Sequence, residues 1–217
     1  MKIAMDSIVE VFEIDTEIEI NLICSSSGML FSQIEQGAPI DIYISANPAY
    51  TKALFINEKC NVPKVFARGS LYLATQKSIS ANSISEILYN DKVKRIGIPD
   101  FKVAPYGLTA KKHLDKIKLY DLFYKKMIVG ESISQISQYL KTDAIQAGFI
   151  SNSFMIKNGN TFNYLKIEID NLEDLEHCVT LIKRPEATNY DEAIQFINFI
   201  SSQKSKDILS YFGYKPL

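Results

Sequence analysis

A cluster of hydroxyl side chains lies where a predicted strand gives way to a predicted helix. Ser25, Ser26 and Ser27 precede Gly28, and the alternating stretch Ile18–Ile23 stands before them. Such a corner presents hydroxyl groups together with the N–H groups that a helix start leaves without intrahelical acceptors. These donors and the positive end of the helix dipole favour an anion. The spacing alone leaves a second interpretation open, in which the serines only cap the helix.

The composition is that of a globular chain with balanced charge. Its 217 residues include 24 Lys and Arg and 25 Asp and Glu, which gives a net charge of −1, and 47% are hydrophobic. This balance offers no basic surface for nucleic acid, and no run of about twenty apolar residues predicts a membrane span. The three cysteines fit no metal pattern, and we expect Cys24 and Cys178 to be buried free thiols.

Strands and helices alternate along the chain and must position the serine corner. Around that corner the pattern predicts a helix over 3–13, a strand over 18–24, a helix over 28–36 and a strand over 40–46. Further strands are predicted near 71–75, 95–100, 127–130, 147–151, 165–169 and 178–182, and a long helix over 190–211 with a break near Ser202. The short loops between these elements favour mostly parallel sheets.

The sequence contains no flexible linker that would separate two domains. If the chain forms two lobes, short crossing strands must join them, and the candidates lie near 69–75 and 178–184. Lobe 1 would then comprise residues 1–69 and 184–217, and lobe 2 would comprise residues 70–183. A chain that passes between two lobes in this way is typical of a hinged protein that binds its ligand in a cleft.

The serine corner and the stretch after it resemble the signature of the periplasmic molybdate-binding proteins of ABC transporters. That signature has a form close to Ser-Ser-Gly-x-Leu-x-x-Gln-Ile-x-x-Gly-Ala-Pro-Ala-Asp-Val-Phe-x-Ser-Ala, and here it runs from Ser26 to Ala46. Later stretches are also similar to the family, namely 97–100 with 104–107, 130–133, 147–151 and 211–214. The resemblance implies an α/β, two-lobe, periplasmic-binding-protein-like fold of type II. Each lobe would be a mixed, mostly parallel sheet flanked by helices, with the ligand in the cleft.

The resemblance also implies a ligand set of neutral donors. Ser27 corresponds to the serine that gives its hydroxyl and backbone N–H to the oxyanion, and Ser26 stands beside it. Tyr106 and Ile133 correspond to residues that donate backbone N–H groups. Ser151 stands where some members have a tyrosine that donates its hydroxyl, which leaves that contact open. No catalytic residue, cofactor or side-chain metal ligand is implied, because molybdate or tungstate is bound as an oxyanion.

By the same resemblance, the chain is the substrate-binding component of an ABC importer. Its partner would be the membrane permease, and its location periplasmic or lipid-anchored outside the cytoplasm. Two alternatives remain open: a receptor for another tetrahedral oxyanion such as sulfate, and a ligand-sensing domain of the same fold. An enzyme is not expected, because Gly-x-Ser-x-Gly is absent and His113 and His177 stand in contexts unsuited to a triad.

The start of the chain departs from the family pattern. Family members have a short strand and an Ala-Ala-x-Ser or Ala-Ala-x-Asn turn before the first helix, and neither precedes residues 3–13 here. No apolar signal-peptide core follows Met1. We therefore expect a truncated start that removes one strand, leaves its neighbours as open sheet edges, and could allow a dimer to form through such an edge.

Overall fold

Helices and short strands alternate along most of the chain. The structure, a computed structural model, describes residues 1–169, 171–186 and 188–217. The helices are α1 (Lys2–Thr16), α2 (Ser27–Glu35), α3 (Pro48–Ile56), α4 (Ile84–Tyr89), α5 (Pro105–Lys116), α6 (Tyr120–Phe123), α7 (Ile133–Lys141), α8 (Asn152–Asn158), α9 (Tyr190–Ile200) and α10 (Gln203–Tyr211). The strands are β1 (Ile42–Ser45), β2 (Lys64–Arg68), β3 (Leu71–Gln76), β4 (Ile96–Pro99), β5 (Met127–Gly130), β6 (Ala147–Ser151), β7 (Phe162–Lys166), β8 (Glu176–Leu181) and β9 (Lys215–Pro216).

The chain divides into two units. Unit 1 comprises Met1–Gly69 and Glu173–Leu217, and unit 2 comprises Ser70–Leu172. The chain passes from unit 1 to unit 2 between Gly69 and Ser70, as predicted. It returns to unit 1 between Leu172 and Glu173 and not near residues 183 and 184. The prediction was wrong there because β8 pairs with β1 and β2, which fixes the whole strand inside unit 1. Likewise β3 pairs with β6 and β7 inside unit 2.

Unit 1 contains a four-stranded sheet with the order β1-β8-β2-β9. All of its described pairings are antiparallel, so the expectation of a mostly parallel sheet is wrong for this unit. The reason is that β8 and β9 come from the distant C-terminal part of the chain and run against β1 and β2. Within the described residues, β1 pairs with β8 alone and is therefore an edge strand.

The stretch predicted as a strand over 18–24 belongs neither to a helix nor to the sheet. Its apolar side chains Ile18, Ile20 and Leu22 are partly buried against the unit 1 core, whereas Glu19 and Asn21 are exposed. The alternation in the sequence thus reports a segment in which every second side chain from Ile18 to Leu22 is partly buried. A strand also needs a neighbouring backbone, and no ladder joins this stretch to another part of the described chain.

Strand β1 separates two apolar clusters of unit 1. Ile42 and Ile44 pack on the cluster that contains residues of α1, α9 and α10. Tyr43 points the other way, into a cluster that contains Ile34 of α2 and Leu54 of α3. α1 and α2 therefore lie on opposite faces of β1.

The predicted break of the last helix is confirmed, because Ser202 caps α10 with a 3.3 Å bond from the Ser205 N–H.

Unit 2 contains a five-stranded mixed sheet with the order β5-β4-β6-β3-β7. β4 is parallel to both β5 and β6, whereas β3 is antiparallel to β6 and β7. The predicted edge strand near 165–169 is present as β7, three residues earlier. Ile136 and Leu140 of α7 lie in the apolar cluster of this unit.

Two further observations concern the whole described chain. No helix in it has the length and apolar character needed to cross a membrane. Cys178 is buried, as expected, but Cys24 is exposed because the segment that carries it lies outside the sheet.

Candidate functional site

The serine corner of unit 1 is held in place by strand β1. The backbone N–H of Ala46, directly after β1, donates to Ser27 Oγ at 3.1 Å. The Tyr43 hydroxyl donates to the Ser27 carbonyl oxygen at 2.7 Å, and burial raises the pKa of Tyr43, so this phenol remains a donor. Because Ser27 Oγ accepts one bond, its own proton stays available for donation elsewhere.

Ser26 occupies the N-cap position of α2 but does not act as a cap. Its side chain makes no capping bond to the first turn of the helix. The side chain is buried, with 6% of the residue exposed, and its Oγ has no hydrogen-bond partner among the described residues. Such a buried hydroxyl costs about 1–3 kcal/mol unless something outside the chain satisfies it. The capping interpretation of the serines therefore does not account for Ser26.

The start of α2 adds backbone donors to these hydroxyls. The first intrahelical bond runs from the Leu30 N–H to the Ser26 carbonyl at 3.1 Å. The helix therefore provides no acceptor for the N–H groups of the three preceding residues, 27–29. Their partial positive charge and the helix dipole point the same way, so the corner offers neutral donors to an anion.

In unit 2, three predicted site residues lie at one edge of the sheet. β5, β4 and β6 are parallel neighbours, so their carboxyl ends meet at the same edge. Tyr106 follows β4 and Ile133 follows β5, each in the first turn of a helix, and Ser151 is the last residue of β6. This is the edge at which open α/β sheets bind ligands.

The start of α5 is fixed against the end of β4. The Asp100 N–H donates to the Gly130 carbonyl at 2.7 Å, which ties the ends of β4 and β5 together. Gly107 lies so close to β4 that an added Cβ would overlap the carbonyl oxygen of Pro99. Only glycine allows this approach, which sets where the first turn of α5, including Tyr106, begins.

The start of α7 carries the capping box that its sequence predicts. Ser132 Oγ accepts from the Gln135 N–H at 3.2 Å, and Gln135 Oε1 accepts from the Glu131 N–H at 2.7 Å. These bonds occupy the N–H groups of Glu131 and Gln135, which lie two residues before and after Ile133. The Ile133 N–H is at the first helical position, where an α-helix supplies no acceptor.

Ser151 differs from Ser26 in having a partner. It is buried, and its hydroxyl lies 3.0 Å from the Ser153 hydroxyl. The pair uses part of the hydrogen-bonding capacity that a ligand would need.

Acidic side chains contribute little at these turns. Asp100 Oδ1 accepts from the Lys102 N–H at 2.9 Å and so stabilises its own loop, while Glu131 is exposed. No group of three or more His, Cys, Asp and Glu in the described part of the chain is arranged to hold a metal ion.

The sequence analysis did not predict that Tyr43 and Ala46 support Ser27, although both belong to the stretch that carries the resemblance.

Comparison with known proteins places the chain in a family. The profile of the bacterial extracellular solute-binding proteins matches residues 1–215. The chain belongs to this family. This solute-binding protein is 26% identical over 193 residues to the molybdate-binding protein ModA of Rhodobacter capsulatus, a match that covers 87% of this chain and 74% of that protein.

Two solved structures show how widely the fold is shared. The periplasmic molybdate-binding protein of Azotobacter vinelandii matches with a TM-score of 0.90 at 20% identity and covers 97% of this chain and 93% of that one. The sulfate-binding protein SubI of Mycobacterium tuberculosis H37Rv matches with a TM-score of 0.76 at 10% identity and covers 99% and 83%. The predicted resemblance and the periplasmic-binding-protein fold are thus confirmed.

Family membership also bears on two other predictions. A family of solute-binding proteins is one of binding proteins and not of enzymes, in agreement with the prediction that this chain is not an enzyme. The family description as extracellular agrees with a location outside the cytoplasm.

Proposed function

We propose that this solute-binding protein binds molybdate, and also tungstate, as the receptor of an ABC importer, through hydroxyl and backbone N–H donors. The observation that carries the proposal is the buried Ser26 hydroxyl, which has no partner among the described residues and lies beside the donor-rich start of α2. The similarity to proteins named for molybdate supports the choice of ligand.

The chemistry of the donors suits a fully deprotonated oxyanion. Molybdate and tungstate carry two charges and four acceptor oxygens at neutral pH, and they have no proton to donate. Hydroxyl and backbone N–H groups satisfy such oxygens, and hydrogen bonds to a charged group are stronger than neutral ones. Phosphate usually keeps a proton near pH 7 and is best bound where a charged acceptor such as a carboxylate receives it, and none of the predicted site residues carries a carboxylate.

Each predicted residue has a defined part in this proposal. The hydroxyls of Ser26 and Ser27 donate from the corner of unit 1. The backbone N–H groups of Tyr106 and Ile133 donate from the first turns of α5 and α7 in unit 2. Ser151 contributes least, because its hydroxyl is already engaged with Ser153.

Sulfate is the second candidate, and the fold alone does not decide against it. It is also a tetrahedral dianion without a proton, and a sulfate-binding protein shares this fold with a TM-score of 0.76. Sulfate is smaller than molybdate, so the donor set would have to close around a smaller anion. The higher TM-score and identity to proteins named for molybdate favour the first candidate.

The partner in this proposal is the membrane permease of the importer, which would receive the anion outside the cytoplasm. A receptor of this kind must release its ligand, and donors held by hydrogen bonds alone permit release without a chemical step. The ligand-sensing alternative would deliver the signal to a regulatory partner and not to a permease.

Titration calorimetry with sodium molybdate, tungstate, sulfate and phosphate tests the ligand. We expect one molybdate or tungstate per chain and much weaker binding of sulfate and phosphate. Sulfate binding as tight as that of molybdate in the same buffer would favour the second candidate. Equal binding of phosphate would contradict a site without a carboxylate acceptor.

A further inference from the structure

The two units carry opposite net charges. Unit 2 contains 14 Lys and Arg against 9 Asp and Glu, whereas unit 1 contains 10 against 16. The near-neutral total of the chain therefore hides a basic unit 2. A charge separation of this kind favours an anionic partner for part of the surface of that unit.

Basic residues gather where β4 and β5 begin. The parallel register pairs Ile96 with Met127, so the residues just before the two strands, Arg95 and Lys126, are neighbours. This end of the sheet has an excess of positive charge, because the stretches 90–95 and 118–126 together hold six Lys and Arg and two acidic residues. The basic residues are Lys92, Lys94, Arg95, Lys118, Lys125 and Lys126, and the acidic ones are Asp91 and Asp121.

Hydrogen bonds fix the backbone that carries several of these charges. Asn90 Oδ1 accepts from the Lys92 N–H at 2.9 Å, and Gln146 Oε1 accepts from the N–H groups of Lys94 and Arg95 at 3.3 and 3.0 Å. The charged ends of the exposed basic side chains remain available to a partner, because none of them has an ion pair within the described residues. These side chains are Lys92, Lys94, Arg95, Lys118 and Lys125.

Exposed apolar side chains stand among these charges. Phe123 of α6 is buried, and the Tyr89 ring meets it edge-on with the ring centroids 4.8 Å apart. Lys126 Nζ lies 5.4 Å from the centre of the same Phe123 ring. Leu122 and Tyr124, which flank Phe123 in the chain, are 65% and 55% exposed, and Tyr89 is 63% exposed. Single exposed apolar side chains are common, but these three gather around one buried ring and so form a patch.

This mixture of side chains suits the surface of an anionic membrane. Tyr and Leu side chains insert at the level of the headgroups, and Lys ammonium groups reach the phosphates while their aliphatic stems lie along apolar surface. Clustered Lys and Arg bind anionic lipids through the negative surface potential of the membrane. A protein partner is favoured less, because lysine is depleted at the centre of protein–protein interfaces.

The position of these residues keeps them away from the predicted anion-binding residues of unit 2. They lie at the amino ends of β4 and β5, whereas Tyr106 and Ile133 follow the carboxyl ends of the same strands. Each strand has four residues, which separates its two ends by about 10–13 Å. Contact with a membrane at the amino ends therefore leaves the carboxyl ends uncovered.

We propose that residues 89–95 and 118–126 form a docking surface for anionic phospholipid headgroups, with Tyr89, Leu122 and Tyr124 inserted between the headgroups. This surface, named here the basic surface, holds the protein at a membrane through charge and shallow apolar insertion together. The docking does not depend on which anion the protein binds.

Co-sedimentation of the full chain with lipid vesicles tests the docking. Vesicles of phosphatidylcholine alone are compared with vesicles in which about one third of the lipid is phosphatidylglycerol, at low and at high NaCl concentration. One triple variant removes three charges from the basic surface, namely Lys92→Gln, Lys94→Gln and Lys125→Gln. Its matched control removes three exposed charges from unit 1, namely Lys52→Gln, Lys64→Gln and Lys215→Gln.

A tryptophan reporter tests insertion into the same vesicles. The chain contains no Trp, so Tyr124→Trp places a single indole on the basic surface. Tyr211→Trp is the control, because Tyr211 is an exposed tyrosine of unit 1. A blue shift of the emission when vesicles are added reports the transfer of the indole out of water.

We expect binding to the phosphatidylglycerol vesicles alone, much weaker at high salt, and weaker by about tenfold to 100-fold in the triple variant of the basic surface. The triple variant of unit 1 should bind as the parent chain does, and Tyr124→Trp but not Tyr211→Trp should show the blue shift.

Three results would overturn the proposal. The first is no binding to either kind of vesicle, which would favour an acidic protein as the partner. The second is an equal loss of binding in the two triple variants, which would mean that net charge alone drives the association. The third is a vesicle-bound Tyr124→Trp chain whose emission does not shift, because nothing would then be inserted.

Discussion

Replacement of Ser26 by alanine should stabilise the protein and weaken anion binding at the same time. The hydroxyl is buried without a partner in the described chain, and removing a buried unsatisfied group recovers about 1–3 kcal/mol. After a small loss of packing, we expect a net gain of about 1 kcal/mol, or a Tm higher by about 2–4 °C in a chain of this size.

The effect of the same substitution on binding has the opposite sign. A hydrogen bond to a charged group contributes about 1.5–3 kcal/mol, so molybdate affinity of Ser26→Ala should fall by about 10- to 100-fold. Denaturant melts without ligand and titration calorimetry with molybdate measure the two effects separately.

A capping role predicts a different outcome. A serine that caps a helix costs about 0.5–2 kcal/mol of stability when it becomes alanine. Ser202→Ala is the matched control, because Ser202 does cap α10 and should lose stability without any change in molybdate affinity. If Ser26→Ala behaves like Ser202→Ala in both assays, the assignment of Ser26 to the anion is refuted.

Three further predictions concern the corner, the pH dependence and the second unit. Ser27→Ala should lower molybdate affinity by about tenfold and stability by about 1 kcal/mol, because the Ala46 N–H also loses its acceptor. Thermal melts with and without molybdate test this, and an unchanged ligand-induced shift in Tm would contradict it. Burial lowers the pKa of His177 to about 3, so the unfolded chain takes up a proton below about pH 6.5 and the folded chain does not. His177 should therefore contribute a fall in stability of about 2 kcal/mol between pH 7.5 and pH 5, and denaturant melts of His177→Gln should lack this contribution. Gly107→Ala should lower both Tm and molybdate affinity, because the added Cβ overlaps the Pro99 carbonyl and displaces the start of α5; an unchanged affinity would separate that helix start from the site.

Local patterns were sufficient to predict most elements of the fold. The start of α7 and the break at Ser202 follow from capping residues, the start of α2 follows from apolar spacing, and the structure has all three. The apolar run at Cys178–Ile182 predicted a strand equally well. It could not show that this strand pairs with β1 in unit 1, because pairing depends on a backbone more than a hundred residues away.

The alternation over Ile18–Ile23 likewise predicts which side chains are buried but not whether the backbone pairs with a strand. The pattern reports which side chains are half-buried, and the structure agrees with that. Whether the backbone also joins a ladder depends on a neighbour that the pattern does not encode.

The resemblance predicts the residues of the candidate site, but the hydrogen bonds of its serines depend on the fold. The spacing of the serines supports a cap and a ligand equally, because both uses need a hydroxyl at a helix start. The missing cap bond of Ser26 and the bonds from Tyr43 and Ala46 to Ser27 depend on how β1 lies against α2. The pairing of Ser151 with Ser153 was likewise not predictable from spacing.

The place of β8 in its sheet has a consequence for the order in which the protein folds. β8 lies between β1 and β2, yet its residues follow all of unit 2 along the chain. A chain that emerges from its N-terminus therefore releases the whole of unit 2 before the strand that joins β1 to β2. Loop closure over so long a stretch is slow compared with the local pairing of β4 to β6. In pulse-labelling of the refolding chain, we expect amides of β4 and β6 to become protected before those of β1, and simultaneous protection would mean that the two units fold as one.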